Sequence, residues 1–367
     1  MSKSQADDIK WMTEALRLAR LGEGLTRPNP PVGAVVVKAG KIIGRGYHRK
    51  AGGPHAEIYA LRQAGSRALG ATLYVTLEPC SSWGRTPPCT DAILAAGIKR
   101  MVCAIADPNP RHEGKGFRLL RQARVKVDCG VGAAEAVELL RPFTSFMLRT
   151  RPYITVKLAT SIDGRIADVS GCSQWISGPK ARVQVQALRR RVDAVMVGAG
   201  TVIQDNPSLL PRPAKGRMPY RVIVDSMGKV SPQSRVFTDE FAACTILATT
   251  KRCPERQREI YAQRGAQVLV LPSSGRGVSL PALIKVLQAL GIMHVVCEGG
   301  GLLVGSLLKA GLVDEMLLFV APVILGCKGP APVGAVNWAL AKAPRMKVVE
   351  SRLVGDDVMI RLQSLMR

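Results

Sequence analysis

Aromatic residues make up only 4% of this 367-residue chain, and no stretch interleaves them with lysine and arginine. Proteins that grip single-stranded nucleic acid stack its bases on aromatic side chains along a basic groove. That class is therefore disfavoured, although the net charge is +25 and the pI is near 10.2. The charge is not gathered in a tail either. Residues 1–150 carry 23 Lys+Arg against 12 Asp+Glu, and the remainder carries 29 against 15. So even a spread suits a basic surface that attracts a phosphate-bearing small molecule. The first residues, MSKSQADDIK, lack the apolar core of a secretory signal. The longest apolar run, 316–325, is too short to cross a bilayer and is broken by Pro322. Nine cysteines, an odd number without scaffold spacing, exclude a disulfide framework and suit a reducing compartment. Internal repeats and low-complexity segments are missing too. The expectation is a soluble cytoplasmic protein without nucleic-acid or membrane partners. Its length and 47% hydrophobic content are enough for two packed domains.

What is present centres on His55-Ala56-Glu57, followed by Pro79-Cys80 and, after Ser81-Ser82-Trp83-Gly84-Arg85-Thr86-Pro87-Pro88, by Cys89. One imidazole and two thiolates supply three ligands of a tetrahedral Zn²⁺ and leave the fourth position for water. Zinc brings the pKa of such a water towards neutrality. Glu57 is not needed as a ligand and suits proton transfer from that water to a departing amine. His-x-Glu followed by Pro-Cys…Cys is the zinc-deaminase signature, here with eight residues between the cysteines where nucleic-acid deaminases have two. Helices are expected over 55–64 and 89–96. Residues two apart do not share a helix face, so His55 and Glu57 cooperate only around a metal lying off the helix end. Any one of these residues alone is commonly structural, but the set is hard to explain that way.

Taken in order, Asp7-Asp8 is placed to cap a helix with Ile9, Met12, Leu16 and Ala19 on one side. Strands are expected at 32–37, 41–47, 72–78, 100–105 and 125–129, with helices at 116–123 and 133–147. Such alternation means a three-layer α/β domain. A polar joint at Arg149-Thr-Arg-Pro152 sets the boundary after residue 150. A second α/β unit follows, 151–367, opening with a strand at 153–159 and ending with two strands at 346–353 and 357–363.

Here the single signals are weaker. Gly299-Gly300-Gly301, between a buried strand and a helix, allows close backbone approach to a ligand and offers free N–H groups to a phosphate. Gly198-Ala-Gly200 lacks the third glycine of a dinucleotide fingerprint. Thr201, Asp205, Asn206 and Pro207 read as a polar turn, Arg189 as a basic helix end, and Lys157 and Asp163 as flanking a strand end. A nucleotide or phosphate site is compatible with this, and so is ordinary turn structure.

The motifs together resemble the bifunctional deaminase–reductase family of riboflavin biosynthesis. In the first half the match runs through Pro28-Asn29-Pro30, Gly46-Tyr47-His48, Pro54-His55-Ala56-Glu57, Gly84-Arg85-Thr86-Pro87-Pro88-Cys89 and Asp107-Pro108-Asn109-Pro110. In the second it runs through Lys157-Leu-Ala-Thr-Ser161-Ile-Asp163-Gly164, Ser173-Gln174-Trp175, Asp205-Asn206-Pro207, Val224-Asp225-Ser226 and Glu298-Gly299-Gly300. The resemblance implies a cytidine-deaminase-like domain followed by one similar to dihydrofolate reductase, with Zn²⁺ and NADPH as cofactors. It implies hydrolysis of the 2-amino group of a diamino-pyrimidinone ribosylamino 5′-phosphate, then reduction of the ribosyl group to ribityl, in a homo-oligomer. By motif, His55, Cys80 and Cys89 hold zinc and Glu57 moves the proton, while Asn29, His48 and Arg85 meet the deaminase substrate. Ala159, Trp175, Thr201, Asp205, Ser226, Gly300, Gly301 and Leu302 match NADP contacts. Lys157, Ser173, Arg189, Leu209, Arg212 and Glu298 match reductase substrate contacts, the arginines suiting a phosphate. In one departure, Ser82 stands where the family usually carries a histidine, which implies altered affinity or rate with the ligand set untouched.

Overall fold

The computed structural model describes residues 3–83, 87–110, 112–275 and 277–365. The chain forms two compact units, Met1–Thr150 and Arg151–Arg367.

In the first unit the order is α1 (Lys3–Arg20), β1 (Gly33–Lys38), β2 (Lys41–Tyr47), α2 (Ala56–Ala64), β3 (Thr72–Val75), α3 (Cys89–Ala95), β4 (Arg100–Cys103), α4 (Lys115–Gln122), β5 (Lys126–Cys129) and α5 (Ala133–Leu148). The sheet order is β2-β1-β3-β4-β5. β1 is antiparallel to both its neighbours, and β3, β4 and β5 run parallel. Because side chains alternate along a strand, Ala34 and Val36 of β1 face a core with Ala56, Ala60, Ile93, Phe117 and Leu120. Val35 and Val37 face Met12, Leu16 and Ala136 on the other side. Helices thus cover both faces of the sheet.

Two glycines bring α2 down onto β2. A Cβ on Gly44 would meet the Ala60 carbonyl oxygen at 2.1 Å, and one on Gly46 the Ala56 carbonyl oxygen at 2.1 Å. The helix start that carries His55 and Glu57 is fixed by this contact. At the other end of the unit the expected cap fails. Asp7 and Asp8 lie inside α1, which begins earlier, and Ile9 is 46% exposed rather than in the core. Asp8 instead accepts hydrogen bonds from Tyr74 Oη at 2.7 Å and from both terminal nitrogens of Arg100 at 2.8 and 2.7 Å. It serves tertiary structure rather than the helix end.

The second unit contains β6 (Tyr153–Ser161), α6 (Pro179–Arg191), β7 (Ala194–Gly198), α7 (Ala199–Asp205), β8 (Tyr220–Val224), α8 (Arg235–Thr238), β9 (Thr245–Thr249), α9 (Glu255–Gln263), β10 (Gln267–Val270), a small hairpin of β11 (Ser273–Ser274) and β12 (Gly277–Val278), α10 (Leu280–Ala289), β13 (His294–Cys297), α11 (Gly301–Lys309), β14 (Glu315–Ala321), β15 (Met346–Val354) and β16 (Asp357–Ser364). Nine strands form one sheet in the order β10-β9-β8-β7-β13-β6-β14-β16-β15. All neighbours are parallel except β14–β16 and β16–β15. One face packs on α10 and α11, the other on Val202, Val236, Phe237 and Tyr261. The stretch expected as a polar turn is largely helical, since Thr201 and Asp205 lie in α7 and Asn206 ends it in the left-handed region (φ 40°). β6 also runs on to Ser161, so Lys157 lies within the strand instead of at its end.

Candidate active sites

α2 begins one residue after His55, whose backbone is extended (φ −74°, ψ 168°). Its imidazole therefore lies off the helix end, while Glu57 occupies the first turn and is 3% exposed. Cys80 follows the chain running on from β3, and Cys89 opens α3. His55 Nδ1 is 3.2 Å from Cys89 Sγ and 3.5 Å from Cys80 Sγ. All three ligand atoms lie within 4.8 Å of one another, and among the described residues no other group of His, Cys, Asp or Glu meets that test.

The electrostatics suit a cation. Hydrogen bonding from Cys89, and then from His55, lowers the Cys80 thiol against the opposing effect of burial. The backbone N–H of Cys89, at the α3 N-terminus, donates to Cys80 Sγ at 3.3 Å, where the helix dipole favours a thiolate. Cys89 keeps its proton because it shares one with Cys80 and is buried. A soft metal held between the two sulfurs would take the place of that proton. Burial raises the carboxyl of Glu57, with His55 opposing. Glu57 Oε2 has no hydrogen-bond partner. Such a buried, unpaired oxygen is costly unless something enters the site to meet it. The donor set and this oxygen fit a zinc ion and its water.

Two expected substrate contacts adjoin the cluster. His48 Nδ1 donates to the Pro54 carbonyl at 3.0 Å, which leaves Nε2 to accept from Asn29 Nδ2 at 3.1 Å. Burial lowers the His48 pKa and keeps the ring neutral. Its ring meets His55 edge-on, with centroids 5.3 Å apart. Arg85 lies outside the described residues. Ser82, the departure from the family pattern, is exposed, as is its neighbour Trp83 at 75%.

In the second unit the expected residues gather at the carboxyl ends of parallel strands, where open α/β sheets bind ligands. Ala159 is near the end of β6, Thr201 and Asp205 follow β7, Ser226 follows β8, and Glu298 and Gly300 follow β13. Arg189 forms a two-pronged pair with Glu298, Nε–Oε1 2.7 Å and Nη2–Oε2 2.9 Å, and also donates to the Leu210 carbonyl at 3.2 Å. Three of its donors are thereby engaged inside the protein. Burial opposes ionisation of Glu298, yet Arg189 and then Lys157 hold its carboxyl below the usual value. Burial lowers the half-buried Lys157 amine, with Glu298 resisting.

Ser173 Oγ sits 3.4 Å from each carboxylate oxygen of Asp205, and burial raises the Asp205 pKa. Thr201 Oγ1 accepts from Gly300 N at 3.3 Å, fixing the glycine loop. A Cβ on Gly301 would meet the Ala331 carbonyl oxygen at 2.4 Å. Ser226 Oγ accepts from Val278 N at 3.0 Å. Trp175 is 64% and Leu302 70% exposed, with the Arg182 guanidinium 4.8 Å from the Trp175 ring centre. Leu209 is buried at φ 60°. The exposed Arg212 is anchored through its backbone, its N–H donating to Gln186 Oε1 at 2.9 Å and its carbonyl accepting from Arg190 at 2.7 Å. Neither Gln186 nor Arg190 was singled out from sequence.

A partly buried His-Cys-Cys cluster beside a buried carboxyl with one unpartnered oxygen, followed by a second unit whose polar groups collect at the ends of parallel strands, defines a two-headed enzyme that joins a zinc-dependent deaminase to a reductase. The family profile for the cytidine and deoxycytidylate deaminase zinc-binding region matches residues 5–105. That for the RibD C-terminal domain matches residues 152–360. The riboflavin biosynthesis protein RibD of Aquifex aeolicus is 48% identical, the alignment covering 96% of this chain and 97% of that one. Among solved structures, RibD of Acinetobacter baumannii (form 2) superposes with a TM-score of 0.87 at 37% identity, covering 99% of this chain and 100% of that one. A diaminohydroxyphosphoribosylaminopyrimidine deaminase/5-amino-6-(5-phosphoribosylamino)uracil reductase of Thermotoga maritima gives 0.87 at 35% identity, covering 98% and 99%. The chain belongs to the RibD family of riboflavin biosynthesis, bifunctional enzymes that use zinc and NADPH.

Proposed function

We propose that residues 1–150 remove the 2-amino group of 2,5-diamino-6-ribosylamino-4(3H)-pyrimidinone 5′-phosphate by hydrolysis. Residues 151–367 then reduce the ribosyl side chain of the product with NADPH, giving 5-amino-6-ribitylamino-uracil 5′-phosphate. The observation that carries the reading is the convergence of His55, Cys80 and Cys89 beside a buried Glu57 with one unpartnered oxygen.

Held by His55, Cys80 and Cys89, zinc supplies an activated water as nucleophile. Glu57 accepts the proton of the attacking water and returns it to the departing amine. Its raised pKa brings it closer to the range in which it exchanges protons at neutral pH. Neutral His48, fixed between Pro54 and Asn29, orients the pyrimidine without adding charge. In the second unit NADPH supplies a hydride. Trp175, Thr201, Asp205, Ser226, Ala159 and the 300–302 turn form its cradle. Lys157 and the Arg189–Glu298 pair orient the ribosyl chain, and Arg212 is the arginine left open to the phosphate.

No helix among the described residues is long and apolar enough to cross a membrane, and the nine cysteines are all free thiols. Both support a cytoplasmic enzyme. The outer strand β15 exposes Val348 and Leu353, an unpaired edge that supports self-association. Light scattering tests that point.

The function itself is tested by mass spectrometry of the diamino substrate after incubation without and then with NADPH. The expected result is the deaminated compound alone, then the ribityl product. Deamination without further change would reduce the second unit to a binding module. No reaction at all would overturn the reading.

A further inference from the structure

Glu78, two residues before Cys80, is 5% exposed and takes no part in the site described above. Its two carboxyl oxygens accept four backbone N–H groups. Oε2 accepts from Asp107 at 3.1 Å and Gly114 at 2.9 Å. Oε1 accepts from Gly116 at 2.9 Å and Phe117 at 3.4 Å. The last three donors belong to the N-terminal turn of α4 and its cap, Gly114. The first turn of a helix leaves such donors unsatisfied, and here a residue from another element caps it. The contact also works in reverse. Asp107 and the 114–117 turn are drawn onto the chain that delivers Cys80, so tightly that a Cβ on Gly116 would meet the Pro79 carbonyl oxygen at 2.3 Å. On the opposite side Cys80 is held by α3, whose Thr90 N–H donates to the Cys80 carbonyl at 3.2 Å.

We infer that Glu78 is a positioning residue of the deaminase site: by clamping Asp107 and the 114–117 turn against the chain at Pro79 it fixes the Cys80 sulfur for metal binding and sets the Asp107–Pro110 loop beside the cluster. The inference rests on the reading of His55, Cys80 and Cys89 as zinc ligands. It does not involve Glu78 touching the metal or the substrate. Outer partners of this kind are worth about 10–100-fold in metal affinity or activity.

The test compares the full-length parent with Glu78→Gln, which keeps the shape but turns an amide donor towards N–H groups. Zinc affinity is measured by chelator competition, and the thiolate-to-metal absorption bands are recorded after cobalt(II) substitution. The expected result is about 10–100-fold weaker zinc binding and shifted cobalt bands, while reductase activity stays at the parental level. A variant that merely melts earlier, with parental zinc affinity and cobalt spectrum, would show a helix cap and nothing more, and would overturn the inference. Should Glu78→Gln not fold, Gly116→Ala presses on the Pro79 carbonyl from the same side and must weaken zinc in the same way; parental affinity there also overturns it. A parent that binds no zinc overturns the ligand reading instead.

Discussion

The two units treat buried charge in opposite ways. In the first, three ligand-type side chains lie within 4.8 Å of one another and Glu57 keeps an oxygen without a partner. In the second, the charged groups neutralise each other, Arg189 against Glu298 with Lys157 alongside. A site made for a small cation leaves its donors unmatched, because the ion supplies the missing charge. A site made for a large anionic ligand must stay organised before the ligand arrives, and an internal ion pair holds its shape. The first site should therefore fail through loss of an ion, and the second through loss of a pairing.

The sharpest way to break this contrast is to remove one of the proposed metal ligands. Cys89→Ala is expected to abolish deamination and empty the site of zinc, measured by metal analysis, while reduction of authentic deaminated substrate proceeds at the parental rate. Glu57→Gln comes next. Deaminase kcat should fall about 10²–10⁴-fold with zinc retained, and loss of zinc in this variant would make Glu57 a ligand. Glu298→Gln inverts the comparison. Leaving Arg189 half-paired in a buried place costs about 3 kcal/mol of stability, and because the pair also orients the proposed ribosyl substrate, reductase kcat/KM should fall with deamination untouched.

The smallest effect concerns the frame of the first unit. Asp8→Asn should destabilise it by about 2 kcal/mol, read from denaturant unfolding. The hydrogen bond from Arg100, against burial, lowers the folded pKa of Asp8 below 3.8. The contribution is then complete above about pH 4 and is lost as the pH falls through the folded value. Parent and variant should unfold alike in strong acid and differ at neutral pH.

How much of this could be read in the chain differs between the units for the same reason. The convergence of His55, Cys80 and Cys89 was legible because metal ligands must meet at one point, and these come from two short motifs, with His55 just before α2 and Cys89 opening α3. The core strands at 32–37 and 41–47 were close because their alternation is clean. Strand ends were not. The runs expected to 78 and 105 stop at Val75 and Cys103, although Leu77, Ala104 and Ile105 carry apolar residues on into irregular backbone. α7 was hidden by Gly200 and by the β-branched Thr201, Val202 and Ile203, all weaker helix formers than alanine or leucine. The Arg189–Glu298 pairing spans 109 residues, and no local pattern announces it. Glu78 escaped notice because its partners are backbone N–H groups, which every residue but proline possesses.

The strand order of the second unit also bears on how the protein is made. β1 finds its partner β2 across a tight turn, Lys38 against Lys41. β6, the first strand of the later unit, lies between β13 and β14, and Tyr153 waits for His294. At ribosomal speed the intervening chain of about 140 residues takes about 7–30 s to emerge. For that interval the segment Tyr153–Ser161, mostly buried in the finished fold, has no strand to pair with. Chaperone demand during synthesis should fall on the second unit, after the first has folded.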